Sequence, residues 1–548
     1  MRIRKALGLT VVMGLSLLPL VAVCAEEERQ SLEELRNTVV NLLQALVDQG
    51  VISHEKAAQM VKAAQEKAAQ EAAQEKAAAA ATAKADEGAV RVPYVPQIVK
   101  DEIAKQVAEQ VKPEVVQDVI AEAKTEKWGV PAALPDWLSR VRAYGEVTAR
   151  EEGLLYDGSN AHQQFYNYYA INTAGSIAKA GQNAFLDDNE TRIRFRGRAR
   201  LGIDADLSDS ITTGMRVVTG NTTDLVSETQ TVDGSAPYQF GLDELYIRLD
   251  ERNAQRFPFL TLVTGRFLNP YQTPTDLIFH KDLTFTGVAA TYRLGLGDGS
   301  PEQSNLFLTI GGHPVQEIEF SADDKWLAAG EIGANLRWAQ SQHLRVTGAY
   351  YDYFNVTGRV NPPGAPGLYN YTAPQFLRYG NTVFDIANGA DPSTNLFALG
   401  SRFRLGNANA TYSTGIGRYQ LSWTVDAVKN FGFNYQQIID LTGKAPASRN
   451  RNTGAQTEVI FGYPVVLTPG SWRAVVGYRY LKGDAVLDGF TDSDFHYFGG
   501  TDAKGYYFIA DYGLANRLWM RLRYLSANEI DGPHFGVDTI QLDLSTRF

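Results

Sequence analysis

Residues 191–206 read TRIRFRGRARLGIDAD, with Arg192, Arg194, Arg196, Arg198 and Arg200 at every second position. Ile193, Phe195, Ala199, Leu201 and Ile203 fill the alternate places. Successive side chains of an extended strand point to opposite faces, so five guanidiniums fall on one side and an apolar row on the other. A helix would scatter the same arginines around its circumference. Such a strand needs water or counter-charge on one face and an apolar medium on the other. Turned to lipid, each arginine would cost about 2–4 kcal/mol near the bilayer midplane. The pattern points to a wall between hydrocarbon and a wet interior.

The same period of two runs from residue 140 to the end of the chain. We read about sixteen strand cores, a number within the bacterial barrel range. They are 140–150, 191–206, 212–219, 242–250, 259–267, 284–293, 305–312, 327–338, 344–354, 395–405, 419–428, 457–463, 472–481, 506–512, 518–525 and 538–548. The last, DTIQLDLSTRF, alternates apolar and polar residues and closes on Phe548. Its length suits a tilted membrane strand of roughly 9–11 residues. Connections 206–212, 340–343 and 513–517 are short, whereas 151–190, 355–394 and 482–505 are long and rich in Gly, Asn, Asp and Pro. Short turns at one end and long loops at the other describe a closed transmembrane antiparallel β-barrel. Closure removes the unpaired edge that a membrane would penalise. Residues 406–418 are long for a turn. They are either unread strand or an additional hairpin that would raise the count to eighteen.

Composition is consistent with this. The 548 residues are 44% hydrophobic and 21% charged, with a mean hydropathy of -0.24. After the amino terminus there is no run of about 20 apolar residues, as a membrane helix would require. Alternating strands escape hydropathy averages because their two faces cancel. The 27 Tyr and 25 Phe suit aromatic girdles. A net charge of -10 argues against nucleic acid as a partner. Arg2, Arg4 and Lys5, an apolar stretch over 7–23 and small residues before Ala25 form a signal peptide, residues 1–25. Cys24 raises a lipoprotein alternative, but Val23 stands where a small residue is expected. With Cys24 removed the mature chain has no cysteine for a disulfide or thiolate site. The scattered histidines form no nucleophile or metal motif. We therefore expect no catalytic residue, metal or cofactor, and no enzyme.

Residues 26–127 have a different texture. Ser31 with Glu34 forms a capping box, and Leu32, Leu35, Val39, Leu42 and Leu46 make a heptad seam. Ala-, Gln-, Glu- and Lys-rich helix follows. This reads as a periplasmic α-helical segment, either a coiled coil between subunits or a solvated spacer. Residues 128–138, with Pro131 and Pro135, are the linker into a barrel domain over 139–548.

The signal peptide, the leader LLQALVDQGVISHEKAAQMV, a first strand LSRVRAYGEV and a late GYRYLKGDAV resemble the putative porins of Gram-negative bacteria. At fold level the layout is also similar to phosphate-selective porins. The resemblance implies an outer-membrane pore for passive diffusion of small hydrophilic solutes, embedded in outer-membrane lipid, with a homotrimer as its expected assembly. It also implies that Phe548 is part of the signal read by the barrel-assembly machinery.

Within such a pore, burial cost sends the ladder to the lumen. The same parity argument sends Arg402, Arg404, Arg473, Arg479, Arg521 and Arg523 there. Rows of arginine favour anionic solutes. Alternatively they pair with inward acids and brace a general pore. The connection 268–282, LNPYQTPTDLIFHKD, is apolar for an external loop. By analogy with general porins it folds inward and brings Asp276, His280, Lys281 and Asp282 towards the ladder; otherwise it covers the outside. Two rival functions carry different expectations: an anchor or adhesin with a closed barrel, and a barrel hydrolase.

Overall fold

A computed structural model describes residues 139–548 apart from 221–224, 227–229, 232–236, 320, 340, 375, 388–390 and 497–498. The signal peptide, helical segment and linker read from the sequence lie outside the described residues.

The alternation becomes a closed wall of 16 antiparallel strands. They are β1 (Val141–Tyr156), β2 (Arg192–Asp206), β3 (Ile211–Thr219), β4 (Phe240–Arg252), β5 (Pro258–Leu268), β6 (Thr284–Gly295), β7 (Asn305–Gln316) and β8 (Lys325–Ala339). The wall continues with β9 (Gln342–Phe354), β10 (Arg404–Ile416), β11 (Tyr419–Asn430), β12 (Thr453–Gly462), β13 (Trp472–Leu481), β14 (Ala503–Ala515), β15 (Leu518–Glu529) and β16 (Gly536–Arg547). Each pairs with its sequence neighbours, and β16 returns to β1 with Thr148 opposite Ser545 and Arg150 opposite Asp543. Connections 207–210, 253–257, 417–418 and 516–517 are tight and share an end with both barrel termini. Connections 157–191, 355–403, 431–452 and 482–502 lie at the other end.

Outward rows are exposed and apolar: Ile193, Phe195, Leu201 and Ile203 on β2; Ile540, Leu542 and Leu544 on β16. The inward parity of β16 is buried through Thr539, Gln541, Asp543 and Ser545. Phe548 closes the ring. Its backbone exchanges two hydrogen bonds with Gly145, at 3.0 and 3.1 Å. Its ring lies over that glycine, so a Cβ at position 145 would meet the ring carbon Cζ at 2.3 Å. An aromatic thus covers the gap left by a strand glycine.

One strand is corrected. Residues 395–405 alternate like a wall strand, but β10 begins at Arg404; the stretch 406–418, which the sequence offers as unread strand or an additional hairpin, is largely that strand, and the count stays at sixteen. Residues 397–399 pair instead with 383–385 inside a long loop. Residues 398–401 are buried continuously, and Ala398, Leu399 and Phe403 are 0% exposed. β10 itself reads RLGNANATYSTGI, with inward Asn407, Asn409 and Ser413 and small outward alanines, too weak an apolar row to stand out.

The apolar core lies inside the barrel. Connections 269–283, 355–403 and 482–502 fold inward and pack Leu277, Ile278, Phe279, Leu377, Leu399, Val486, Leu487 and Phe490 into one cluster. Inward side chains of the wall complete it, among them Phe267, Phe285, Leu327, Tyr351, Tyr353, Leu405 and Val428. Each fully buried Leu, Ile or Phe contributes about 1.5–3 kcal/mol. Loops with this much buried apolar surface are fixed parts of the fold.

Candidate pore lining and constriction

β2 sits between β1 and β3, so β1 supplies the first counter-charges to the arginine ladder. Glu152 stands opposite Arg194 and accepts from Arg194 at 2.5 Å and Arg196 at 2.8 Å. Glu146 accepts from Arg198 at 3.0 Å. Asp282, arriving from connection 269–283, accepts from Arg198 at 2.7 Å and Arg200 at 3.1 Å. Arg192, at the loop end, is more exposed and lies 4.0 Å from Asp187. A half-buried arginine row at this spacing is stable because carboxylates interleave it; unpaired, each charge would carry a desolvation penalty of several kcal/mol.

The remaining inward arginines follow the same rule. Arg473 and Arg521 share Asp511, at 2.7 and 2.6 Å. Arg523 and Arg150 share Asp494, at 2.8 and 3.2 Å, and Arg196 approaches its other oxygen at 3.8 Å. Arg479, 1% exposed, lies 3.5 Å from Asp492 and donates to Thr491.

Arg402 and Arg404 do not join them. On β10 the buried parity carries Leu405, Asn407 and Asn409, so Arg404 is on the outward parity, opposite Asp352 at 3.4 Å. Arg402 is exposed just beyond the strand. Phe403 and Leu405, which lumen-facing Arg402 and Arg404 would turn to lipid, are 0% exposed because infolded loops make this side of the lumen apolar. At 402–405 the parity that faces the lumen is the apolar one.

Connection 269–283 crosses the lumen. At one end Tyr271 donates its hydroxyl to His313 Nε2 at 2.8 Å, while His313 Nδ1 donates to the Thr286 carbonyl at 3.1 Å. The Gln272 N–H donates to both Glu331 oxygens, at 2.9 and 3.1 Å, and the Gln272 carbonyl accepts from Asn409 at 3.0 Å. Thr275 donates to Asp426 at 2.6 Å. These partners lie on β7, β8, β10 and β11, across from the ladder. Asp276 turns back to cap the Lys281 N–H at 2.7 Å. His280 is buried, with Nδ1 accepting from the Asp282 N–H at 3.1 Å. Lys281 is exposed and Asp282 meets the ladder. Burial pushes the Asp282 carboxyl up, but Arg198, Arg200 and Lys281 outweigh it and hold it well below the usual carboxylate range.

Connection 482–502 is a second constriction, read from the sequence only as an external loop. Thr491 donates to the Asp276 and Leu277 carbonyls at 2.9 and 3.0 Å, and the His280 N–H donates to the Phe490 carbonyl at 2.7 Å. The two loops are therefore latched backbone to backbone. Asp494, despite burial, is held well below its ordinary range by Arg150, Arg523 and Arg196. A signal was present: Ala485, Val486, Leu487, Phe490 and Phe495 are as apolar as the first loop.

Towards the turn end these elements leave a cavity of about 260 Å³. Its lining includes six cations, Arg150, Arg198, Arg200, Lys281, Arg521 and Arg547, against four carboxylates, Glu146, Asp282, Asp494 and Asp543.

Residues 36–548 match the family described as Putative porin. None of the curated proteins matches the chain. Similar solved structures include OprB of Pseudomonas putida, 12% identical over 77% of this chain and 97% of that one, TM-score 0.42. The outer membrane channel DcaP of Acinetobacter baumannii is 10% identical over 74% of this chain and 97% of its own, TM-score 0.38. Salmonella typhi OmpF, solved with daunomycin, is 12% identical over 74% and 97%, TM-score 0.38. The chain belongs to the putative porin family, and it is an outer-membrane β-barrel of the porin channel type.

Proposed function

We propose that this porin passes small hydrophilic solutes with a preference for anions. The supporting observation is the balance of the cavity between ladder and constriction, six cations to four carboxylates. Most of these arginines are already paired, so the field is the small surplus rather than the whole ladder. Arg547 and Lys281 are the exposed members of the set. Arg547 shares Glu146 with Arg198, at 2.7 and 3.0 Å, and Lys281 is exposed, so the surplus stands where a solute can meet it.

Reversal potentials in a potassium chloride gradient test this. Wild type should reverse on the anion side. Lys281→Gln with Arg547→Gln leaves four cations against four carboxylates and should move the reversal potential towards zero. Cation preference, or none, in wild type overturns the proposal. A closed anchor is the second reading, favoured by the apolar packing of three loops in the lumen. Liposome swelling separates the two: absence of solute flux from folded protein selects the anchor.

A further inference from the structure

Arg402 and Arg404 stand outside the barrel wall, at its loop end, beside Arg359. These three arginines line a cavity of about 490 Å³ in which Asp352 is the one carboxylate among the described lining residues. Arg359 is tied to Asp323 at 2.8 Å, and Arg404 lies 3.4 Å from Asp352 with its side chain 51% exposed. The Arg402 guanidinium has no carboxylate within ion-pair distance among the described residues. Lys429, exposed on β11 opposite Gly406, adds a further cation to the same outer face.

Directly along the wall from this cavity is an apolar groove of about 560 Å³. Val288, Ile310, Tyr350 and Phe354 wall it, and Gly312 and Gly330 form part of its floor. Asp352 and Phe354 border both spaces. The strand register makes the path continuous: Gly312 pairs with Ala328, Ala328 with Asp352, and Asp352 with Arg404. A greasy channel on the hydrocarbon side thus runs up to a cluster of guanidiniums at the rim.

We propose that this face binds a phosphate-bearing acylated lipid of the outer leaflet. One acyl chain lies in the groove, and a headgroup phosphate is held by Arg402 and Arg404. The occupant follows from charge and shape together. Arginine forks match phosphate oxygens, an uncompensated guanidinium at the interface calls for an anion, and the groove below it has almost no polar surface. A soluble anion would use only the rim, and a second protein copy would bring no phosphate.

Native mass spectrometry of the detergent-folded protein tests this. The probes are bisphosphorylated lipid A, the same lipid without phosphates, and inorganic phosphate. Wild type should retain lipid A at least about tenfold better than the dephosphorylated form. Arg402→Gln with Arg404→Gln should remove that difference while single-channel conductance stays unchanged. Gly330→Leu fills the groove from a position where an added Cβ meets nothing within 4 Å. It should weaken lipid A without altering the rim. Equal retention of both lipids, or of lipid A by wild type and the double variant, overturns the proposal. So does binding of inorganic phosphate as tight as lipid A, or a disulfide-linked dimer from Gly330→Cys in place of lipid. If the double variant misfolds, as read by heat-modified gel mobility, Arg402→Gln alone decides the matter. Its guanidinium holds no carboxylate among the described residues.

Discussion

Arg194–Arg196–Arg198 and Arg402–Arg404 share one sequence pattern, arginine at alternate positions with apolar residues between, yet face opposite ways. In the first sector Ile193 and Phe195 meet lipid and the arginines meet Glu152, Glu146 and Asp282. In the second, Phe403 and Leu405 are buried inside and the arginines look outward. Alternation establishes which residues share a face. Which face is inside depends on what fills the barrel. Opposite the ladder, three infolded loops fill it with hydrocarbon, so an apolar parity can point to the lumen there.

The sharpest way to break this contrast is to release the latch on the charged side. Asp494 alone is shared by Arg150, Arg196 and Arg523. Asp494→Ala leaves three guanidiniums without their common partner, and removing one member of such a buried set costs about 3–5 kcal/mol. Connection 482–502 should leave the lumen, and single-channel conductance should rise several-fold. Unchanged conductance would mean that the apolar sector alone holds the constriction.

The apolar sector is probed by Phe279→Ala. Phe279 is 1% exposed and meets Phe285 and Tyr351 edge-on, both at 5.1 Å between ring centroids. Truncation of such a side chain costs about 3–5 kcal/mol. Amide exchange over 269–283 should accelerate, while the reversal potential stays near wild type because no charge has moved. A large selectivity change would show that the two sectors are not separable.

These effects explain how far the sequence could be read. The ladder was legible because a lone strand decides it: five arginines cannot face lipid. Asp282 was legible as a partner because its loop is too apolar for water. Arg402 and Arg404 were misplaced because their facing is set by non-local packing of Leu277, Phe279 and Phe490, remote in sequence. β10 is weakly marked for a related reason: inward Asn407 donates to Asp426 on β11, inward Asn409 donates to the Gln272 carbonyl of connection 269–283, and the outward row is small alanines. Glu152 and Glu146 as ladder partners required the strand register, which alternation does not contain.

A smaller effect separates the two kinds of buried carboxylate in the loops. Asp282, held low by arginines, contributes stability that is lost only as pH falls below the ordinary carboxylate range. Asp488, buried in connection 482–502, is pushed up from 3.8 to about 7 by desolvation. Between these values the folded loop holds a proton that the unfolded chain does not. Stability therefore falls as pH rises through that window, and the loss is complete above about 7. Amide protection over 482–502 should be greater at pH 5 than at pH 8. Asp488→Asn, which stays neutral, should make protection flat across the interval. A loop better protected at pH 8 would reverse the assignment.

The smallest expected effect is the most discriminating between sectors. Arg196→Gln and Arg402→Gln remove the same charge from the same alternating pattern. Arg196 lies 2.8 Å from Glu152 and 3.8 Å from Asp494, so its loss leaves carboxylates under-compensated inside the lumen. The reversal potential should shift by a few millivolts away from the anion side. Among the described residues Arg402 has no such partner, and it sits across the wall. At an ionic strength of about 0.15 M the Debye length is roughly 8 Å, so its charge is screened before it reaches the lumen. Its reversal potential should match wild type. Equal shifts from both variants would place both arginines on one face and remove the distinction between the sectors.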